Sequence, residues 1–251
     1  MKLNMENNEL KQEVKNRNNF QNNSQKQIAA AILLAGVLIA GAILLKDNKT
    51  YTTTQQAQQQ VEQQLDNSNP SNAALDPVTS KDNMLGNPNA KVTFIEYADY
   101  QCPYCGLFFK NNEGPIIQNY VNTGKINFVY RDYAFLGPES TTAAEAALCA
   151  NDQDKFWQYH DYLFSHQSGE NQGAFVAKNL ESFAKTLGLN TTTFNQCLES
   201  GKYTSTVAAT TTAGTKAGVQ GTPKGFIVKD GKIIATMDGA EPLATVTAKL
   251  D

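Results

Sequence analysis

Val92-Thr93-Phe94-Ile95-Glu96-Tyr97-Ala98-Asp99-Tyr100-Gln101-Cys102-Pro103-Tyr104-Cys105 is the stretch that decides what this chain folds into. Its first half is apolar and β-branched, as a strand requires, and Gly106-Leu107-Phe108-Phe109 after it can begin a helix. Cys102 then falls at a helix N-terminus, where unpaired N–H groups and the helix dipole favour a thiolate over a thiol. Pro103 sits near the first helical position, where a missing N–H costs nothing. Cys105 lies one helical turn on, close enough to close a short disulfide. The spacing reads as a redox pair.

Outward from this motif, the chain reads β-α-β, then a helical block, then β-β-α. The opening strand covers Lys91–Ala98, and a helix runs toward Asn122 with a kink expected at Gly114-Pro115. A second strand covers Ile126–Tyr133, in the order that favours a parallel unit. Thr142-Ala143-Ala144-Glu145 has capping-box spacing ahead of Ala146, Ala147 and Cys149. Further helices are expected over Lys155–Phe164, around Leu180–Leu187, from Asn190 through Leu198, and over Thr204–Ala217. Asp230-Gly231 marks a hairpin between Gly225–Lys229 and Lys232–Met237, and Pro242–Leu250 closes as a short helix. A helical insertion in an α/β sheet domain keeps every strand buried. It assigns 84–137 and 218–251 to the sheet domain and 138–217 to the insertion.

The N-terminal third is different in kind. Residues 1–27 are a polar tail rich in Asn, Gln, Lys and Glu, unable to bury enough apolar area to offset ordering entropy. Ile28–Leu45 is an uncharged apolar run of 18 residues. At 1.5 Å per residue it spans ~27 Å, enough for a ~30 Å hydrocarbon core if flanking residues snorkel. A buried core helix would keep a polar face, and this run has none. Five basic residues precede it (Lys2, Lys11, Lys15, Arg17, Lys26), whereas Lys46 and Lys49 follow closely. The positive-inside rule therefore expects a single-pass cell-membrane anchor, with a cytoplasmic N-terminus and the catalytic domain extracytoplasmic. Ala40-Gly41-Ala42 resembles a cleavage site, but the apolar run continues past it, which favours an anchor over a cleaved signal. Residues 46–83 form a low-complexity linker.

A net charge of −3 from interspersed charges gives no basic patch, so no nucleic-acid partner is expected. No phosphate loop, dinucleotide fingerprint or Ser-His-Asp grouping is present, and no cofactor is implied. The four cysteines, Cys102, Cys105, Cys149 and Cys197, allow three pairings, which sequence alone does not resolve. His160 and His166, the two histidines, lack the compact spacing of a zinc site and read as core-edge and surface residues, so no metal is expected.

The segment Gly86-Asn87-Pro88, the run Phe94 to Cys105 and the distant Gly221-Thr222-Pro223 together resemble the DsbA-like thiol:disulfide oxidoreductases. The resemblance spans roughly residues 77–251 and implies a thioredoxin-like fold with an inserted α-helical domain. Carried over by position, it implies Cys102 as the nucleophile, Cys105 as the buried resolving partner and Pro223 as a cis-proline facing the pair. Thr222 and Tyr104 would meet an extended substrate chain, and Glu96 would relay protons to Cys105. The implied function is a disulfide-forming oxidase, with a reductase or isomerase, or a non-catalytic polypeptide-binding module, as alternatives. Its implied partners are cysteine-containing exported proteins and a membrane redox partner that reoxidises the pair. Many relatives carry His where this chain has Tyr104, which predicts a weaker oxidant. Lys224-Gly225 also departs from the apolar strand start usual after the proline. In an exported protein, Cys149 and Cys197 on inward helix faces are expected to form a structural disulfide.

Overall fold

The computed structural model describes residues 75–251. The expected tail, anchor and most of the linker, up to residue 74, lie outside the described residues. Among the described residues no helix is long and apolar enough to cross a membrane.

The strand that carries Glu96 is central. In chain order the strands are β1 (Asn83–Gly86), β2 (Val92–Ala98), β3 (Ile126–Asp132), β4 (Lys224–Lys229) and β5 (Lys232–Asp238). They form one sheet in the order β1-β3-β2-β4-β5. β2 and β3 pair in parallel, and β1–β3, β2–β4 and β4–β5 pair antiparallel. The crossover between β2 and β3 is helix α1, which begins at Pro103–Phe108 and ends at Ile117–Val121. Its interruption near Pro115 takes the form of π turns, Phe109–Glu113 and Ile117–Val121, on either side of Gly114–Ile116. The inserted helices are α2 (Pro138–Asn151), α3 (Phe156–Ser165), α4 (Ala177–Thr186), α5 (Thr191–Glu199) and α6 (Thr204–Lys216), and α7 (Leu243–Leu250) closes the chain. Thioredoxin-like α/β architecture with a helical insertion is what these elements build.

Period-two alternation sorts the strand residues onto two faces. Phe94, Phe128, Ile227 and Met237 pack with Ile116, Val246 and Leu250. Ile95, Tyr97, Val129 and Phe226 pack on the other face with Ala217, Val219, Leu75 and Val78. Each such fully buried side chain stabilises by roughly 1.5–3 kcal/mol. Gly225 belongs to this packing, because a Cβ there would fall 2.5 Å from the Phe94 ring and 3.0 Å from Met237 Cβ. The glycine at this departure from the family pattern makes room for an aromatic on the neighbouring strand. Lys224, beside it, is tied to Asp238 at 2.6 Å and is not free in solvent.

Two boundaries differ from the sequence reading. The stretch 75–83, assigned to the linker, is part of the folded domain. Arg131 on β3 is almost fully buried and needs acceptors. It donates to Asp82 Oδ1 (2.7 Å), Asp76 O (2.9 Å), Pro77 O (3.1 Å) and Tyr97 OH (3.1 Å). The Thr142–Glu145 capping box is also not a helix start. α2 begins at Pro138, after Gly137 at φ 130°. Thr142 lies within it and donates its hydroxyl to Pro138 O at 2.9 Å, the back-bond open to a mid-helix threonine.

A disulfide joins Cys149 on α2 to Cys197 on α5, 48 residues apart with a Cα–Cα distance of 5.8 Å. In the chain-entropy treatment a loop of this size stabilises by about 4 kcal/mol. The double substitution Cys149→Ala, Cys197→Ala is expected to lower the melting temperature by about 8–16 °C for a domain of this size. Calorimetry of the two proteins checks this, and an unchanged melting temperature would refute it.

Candidate active site

The end of β2 delivers Asp99, and Asp99 shapes the turn that follows. Its Oδ1 accepts from the Gln101 N–H (2.8 Å) and the Ser140 hydroxyl (2.7 Å). Its Oδ2 accepts from the N–H groups of Phe135 (2.9 Å) and Leu136 (3.2 Å). The Cys102 N–H donates to Asp99 O at 3.0 Å, which closes the turn. Cys102 caps α1 with extended backbone (φ −69°, ψ 120°), and its carbonyl accepts the N–H of Gly106 at 3.1 Å.

The helical insertion reaches over this turn. Gln167, just beyond α3, donates its amide to Tyr100 O (2.6 Å) and Cys102 O (3.1 Å). Its carboxamide lies where a Cβ on residue 106 would stand, so the glycine after Cys105 permits the clamp. Gln101 donates to Ser140 Oγ at 2.8 Å and accepts the Asn171 N–H at 2.5 Å. Asp99, Gln101, Ser140, Gln167 and Asn171 escaped the sequence reading. Apart from the Gln101 N–H beside Asp99, their partners lie 35 to 70 residues away along the chain, so no local spacing marks them.

The predicted site residues Cys102, Cys105, Glu96, Thr222 and Pro223 are brought together. The Thr222-Pro223 peptide is cis, and the Cys102 thiol donates to Thr222 O at 3.3 Å. Cys102 is 5 % exposed, Cys105 is wholly buried and Tyr104 between them is 63 % exposed. Both cysteines are free thiols. A hydrogen bond from Cys105 does most to pull Cys102 down to about 6, against burial and helped by the Thr222 side chain and the amides of Cys105 and Tyr104. Burial first, then its hydrogen bond to Cys102, and after that the Cys102 and Glu96 charges push Cys105 well above the ordinary thiol range. The pair is therefore asymmetric, with one ready thiolate and one reluctant thiol. Cys149 and Cys197 stand apart as the staple of the insertion.

Glu96 is fully buried, and neither carboxyl oxygen has a protein hydrogen-bond partner. Burial, then the Cys102 charge, raises it to about 8, so it can hold or release a proton near neutral pH. His160, read as a core-edge residue, is completely buried among aromatic rings, while His166 stacks on Tyr162 at the surface.

A protein-family model described as Thioredoxin matches residues 78–248. The chain is 29 % identical over 147 residues to Disulfide bond formation protein D of Bacillus subtilis, across 57 % of this chain and 66 % of that protein. It is 32 % identical over 155 residues to Na(+)/H(+) antiporter NhaA 1 of Salinispora arenicola, across 61 % of this chain and 22 % of the relative. The chain thus spans about a fifth of the antiporter and just under two thirds of the Bacillus protein. Among solved structures it resembles alpha-DsbA1 of Wolbachia pipientis, with a TM-score of 0.64 and 27 % identity, covering 72 % of this chain and 94 % of that one.

The asymmetry of the pair has a direct optical signature. The thiolate absorbance of the reduced protein is expected to rise with a midpoint near pH 6 and the amplitude of one thiolate. Cys105→Ala removes the leading hydrogen bond and should move that midpoint up toward the ordinary thiol value of about 8.5. Two thiolates, or no shift in the variant, would contradict the assignment.

Proposed function

Since this chain belongs to the DsbA-like branch of the thioredoxin family, we propose that it is a protein thiol:disulfide oxidoreductase that forms disulfides in exported proteins. The observation that carries this is the unequal pair, a low-lying Cys102 at a helix N-terminus facing Thr222-Pro223, with Cys105 buried behind it.

In the oxidised enzyme a substrate thiolate attacks Cys102 Sγ. The Cys102–Cys105 bond breaks, and Cys105 leaves with the electron pair as a thiolate that takes up a proton. A second substrate thiolate then attacks its own sulfur in the mixed disulfide, and Cys102 departs as a thiolate stabilised by the helix N-terminus. The substrate gains a disulfide and the enzyme keeps two reduced sulfurs, which a membrane partner reoxidises. An extended substrate chain pairs with the backbone at Thr222 and Pro223, and exposed Tyr104 and Leu107 offer apolar contact beside the thiol. Glu96 gives its proton to Cys105 as that sulfur leaves and recovers it on reoxidation.

The extracytoplasmic, membrane-tethered location belongs to the same reading. It is supported by the apolar run Ile28–Leu45 with its basic flank, and by the Cys149–Cys197 disulfide, a feature of oxidising compartments.

Oxidising strength tests the direction of exchange. A thiol near 6 lies between the values of about 3.5 for DsbA and about 7 for thioredoxin. The reduction potential of the Cys102/Cys105 pair is accordingly expected between about −120 and about −270 mV. Equilibration against glutathione measures it, and a value at or below thioredoxin's would favour a reductase instead. Cys102→Ala should abolish oxidation of a reduced model protein; retained activity would point to a polypeptide-binding module.

A further inference from the structure

Resting on the exchange mechanism just proposed, Cys105 poses a transport problem. It is wholly buried, and a substrate seated at Thr222-Pro223 covers the thiol side of the site. The proton it takes up on leaving must therefore come through the protein. Glu96 can supply the first, but being fully buried itself it needs refilling.

Behind Glu96 lies a set of buried polar groups that stability alone does not explain. Tyr130 sits beside Glu96 in register on the adjacent strand, and Asp132 follows on the same face. The hydroxyls of Tyr130 and Tyr100, Asp132 Oδ1, Glu113 Oε1 and His160 Nε2 are all buried without a protein hydrogen-bond partner. Glu113 projects from the first π turn of α1, 3 % exposed, and its charge couples to both Glu96 and His160. Burial above all, opposed by His160, raises it to about 8, like Glu96. Buried polar groups left in this way are commonly joined by internal water.

His160 connects this set to the outside. Its Nε2 is 4.0 Å from Glu113 Oε1, a gap one water spans, and its Nδ1 is 3.0 Å from Asp161 Oδ1. Asp161 is 62 % exposed. The titratable groups facing the imidazole are Glu113 from α1, Tyr100 from the turn after β2, Tyr130 from β3 and Asp161 from its own helix. Phe109, Phe156, Trp157 and Phe164 complete its surroundings.

We infer that Glu113, His160 and Asp161 form the proton route between Glu96 and solvent, reaching the surface on α3 rather than past the substrate. When Cys105 leaves, Glu96 protonates it, Glu113 reprotonates Glu96, and His160 restores Glu113 with a proton taken up at Asp161. Reoxidation runs the same transfers outward. Each step moves one proton between named oxygen, nitrogen and sulfur atoms and leaves the electron balance to the thiols.

Trp157, the single tryptophan, lies 5.2 Å from the imidazole, so its fluorescence can follow His160. The test is stopped-flow reduction of the oxidised full chain by a dithiol peptide across the pH range, with Trp157 emission recorded alongside the net proton release, two protons leaving the peptide thiols and one entering the enzyme. Glu113→Gln and His160→Gln keep shape and hydrogen bonding but cannot pass a proton. Each is expected to slow the reduction by about tenfold and to flatten its pH dependence near the buried acids, less than a full general-acid loss because water partly substitutes. The Cys102 thiolate titration should stay where it is in both. Rates within about twofold of wild type, with an unaltered pH profile, would overturn the route. Should the buried variants fail to fold, Asp161→Asn on the exposed surface decides alone: reduction slowed by about threefold or more in the Trp157 signal supports the route, and anything smaller refutes it. A wild-type protein that does not exchange with the peptide at all removes the functional reading, and this inference with it.

Discussion

Four hydrogen bonds converge on the Asp99 carboxylate, and the site depends on them. One side chain fixes the turn after β2, the loop after β3 and the first turn of α2. A charged group 1 % exposed would be costly without such partners. With them it fastens the sheet domain to the helical insertion at the point where the reactive cysteine begins its helix. Gln101, Gln167 and Asn171 extend the fastening, so that the insertion holds the backbone on both sides of Cys102. Pre-organisation of this kind lets the helix N-terminus and the Cys105 thiol act on one sulfur without a reorganisation step.

Sequence reading succeeded where the physics is local. Strand alternation around Phe94–Ala98, Pro103 at the start of a helix and Asp230-Gly231 in a turn each depend on neighbours a few residues away. The layout of sheet and insertion followed from these. Glu96 was singled out only through its place relative to the cysteines. What escaped was long-range. The Arg131 acceptors at Asp76, Pro77 and Asp82 lie in a stretch whose composition suits a linker, and the buried cation that gives it structure is about fifty residues away. β1 is four residues long, too short to show a period. The Thr142 error has the same root, because a capping box and an i−4 back-bond use the same residue type, and only the position of Pro138 within the helix separates them.

The aromatic nest beneath the site balances opposing demands. Tyr100, Tyr130, Phe156 and Phe164 bury large apolar areas that hold the insertion against β3. The same nest encloses three carboxyl groups, Glu96, Glu113 and Asp132, each raised to about 8, chiefly by burial. Acids raised in this way are protonated in the fold while the unfolded chain has released its protons, so they favour folding least at alkaline pH. Their contribution is complete below the ordinary carboxylate range and declines as pH rises through about 8. Cys102 has the opposite sign: its contribution is present above the ordinary thiol value and fades as pH falls through about 6. Reduced and oxidised forms therefore differ in pH sensitivity, since only the reduced form carries the Cys102 thiolate.

The Arg131 clasp also has a mechanical meaning. The guanidinium grips Asp76, Pro77 and Asp82 immediately before β1, and β1 pairs with β3, the strand that carries Arg131 itself. A pull on the upstream chain is met first by three directional bonds around one planar cation, and only then by the strand ladder. Load entering there runs into β3 and is shared with β2 through the parallel pairing, without passing through the turn that holds Cys102. The clasp is a strain relief, like the collar where a cable enters its housing. A load taken up at Asp76 leaves the cysteine pair in register with Thr222 and Pro223.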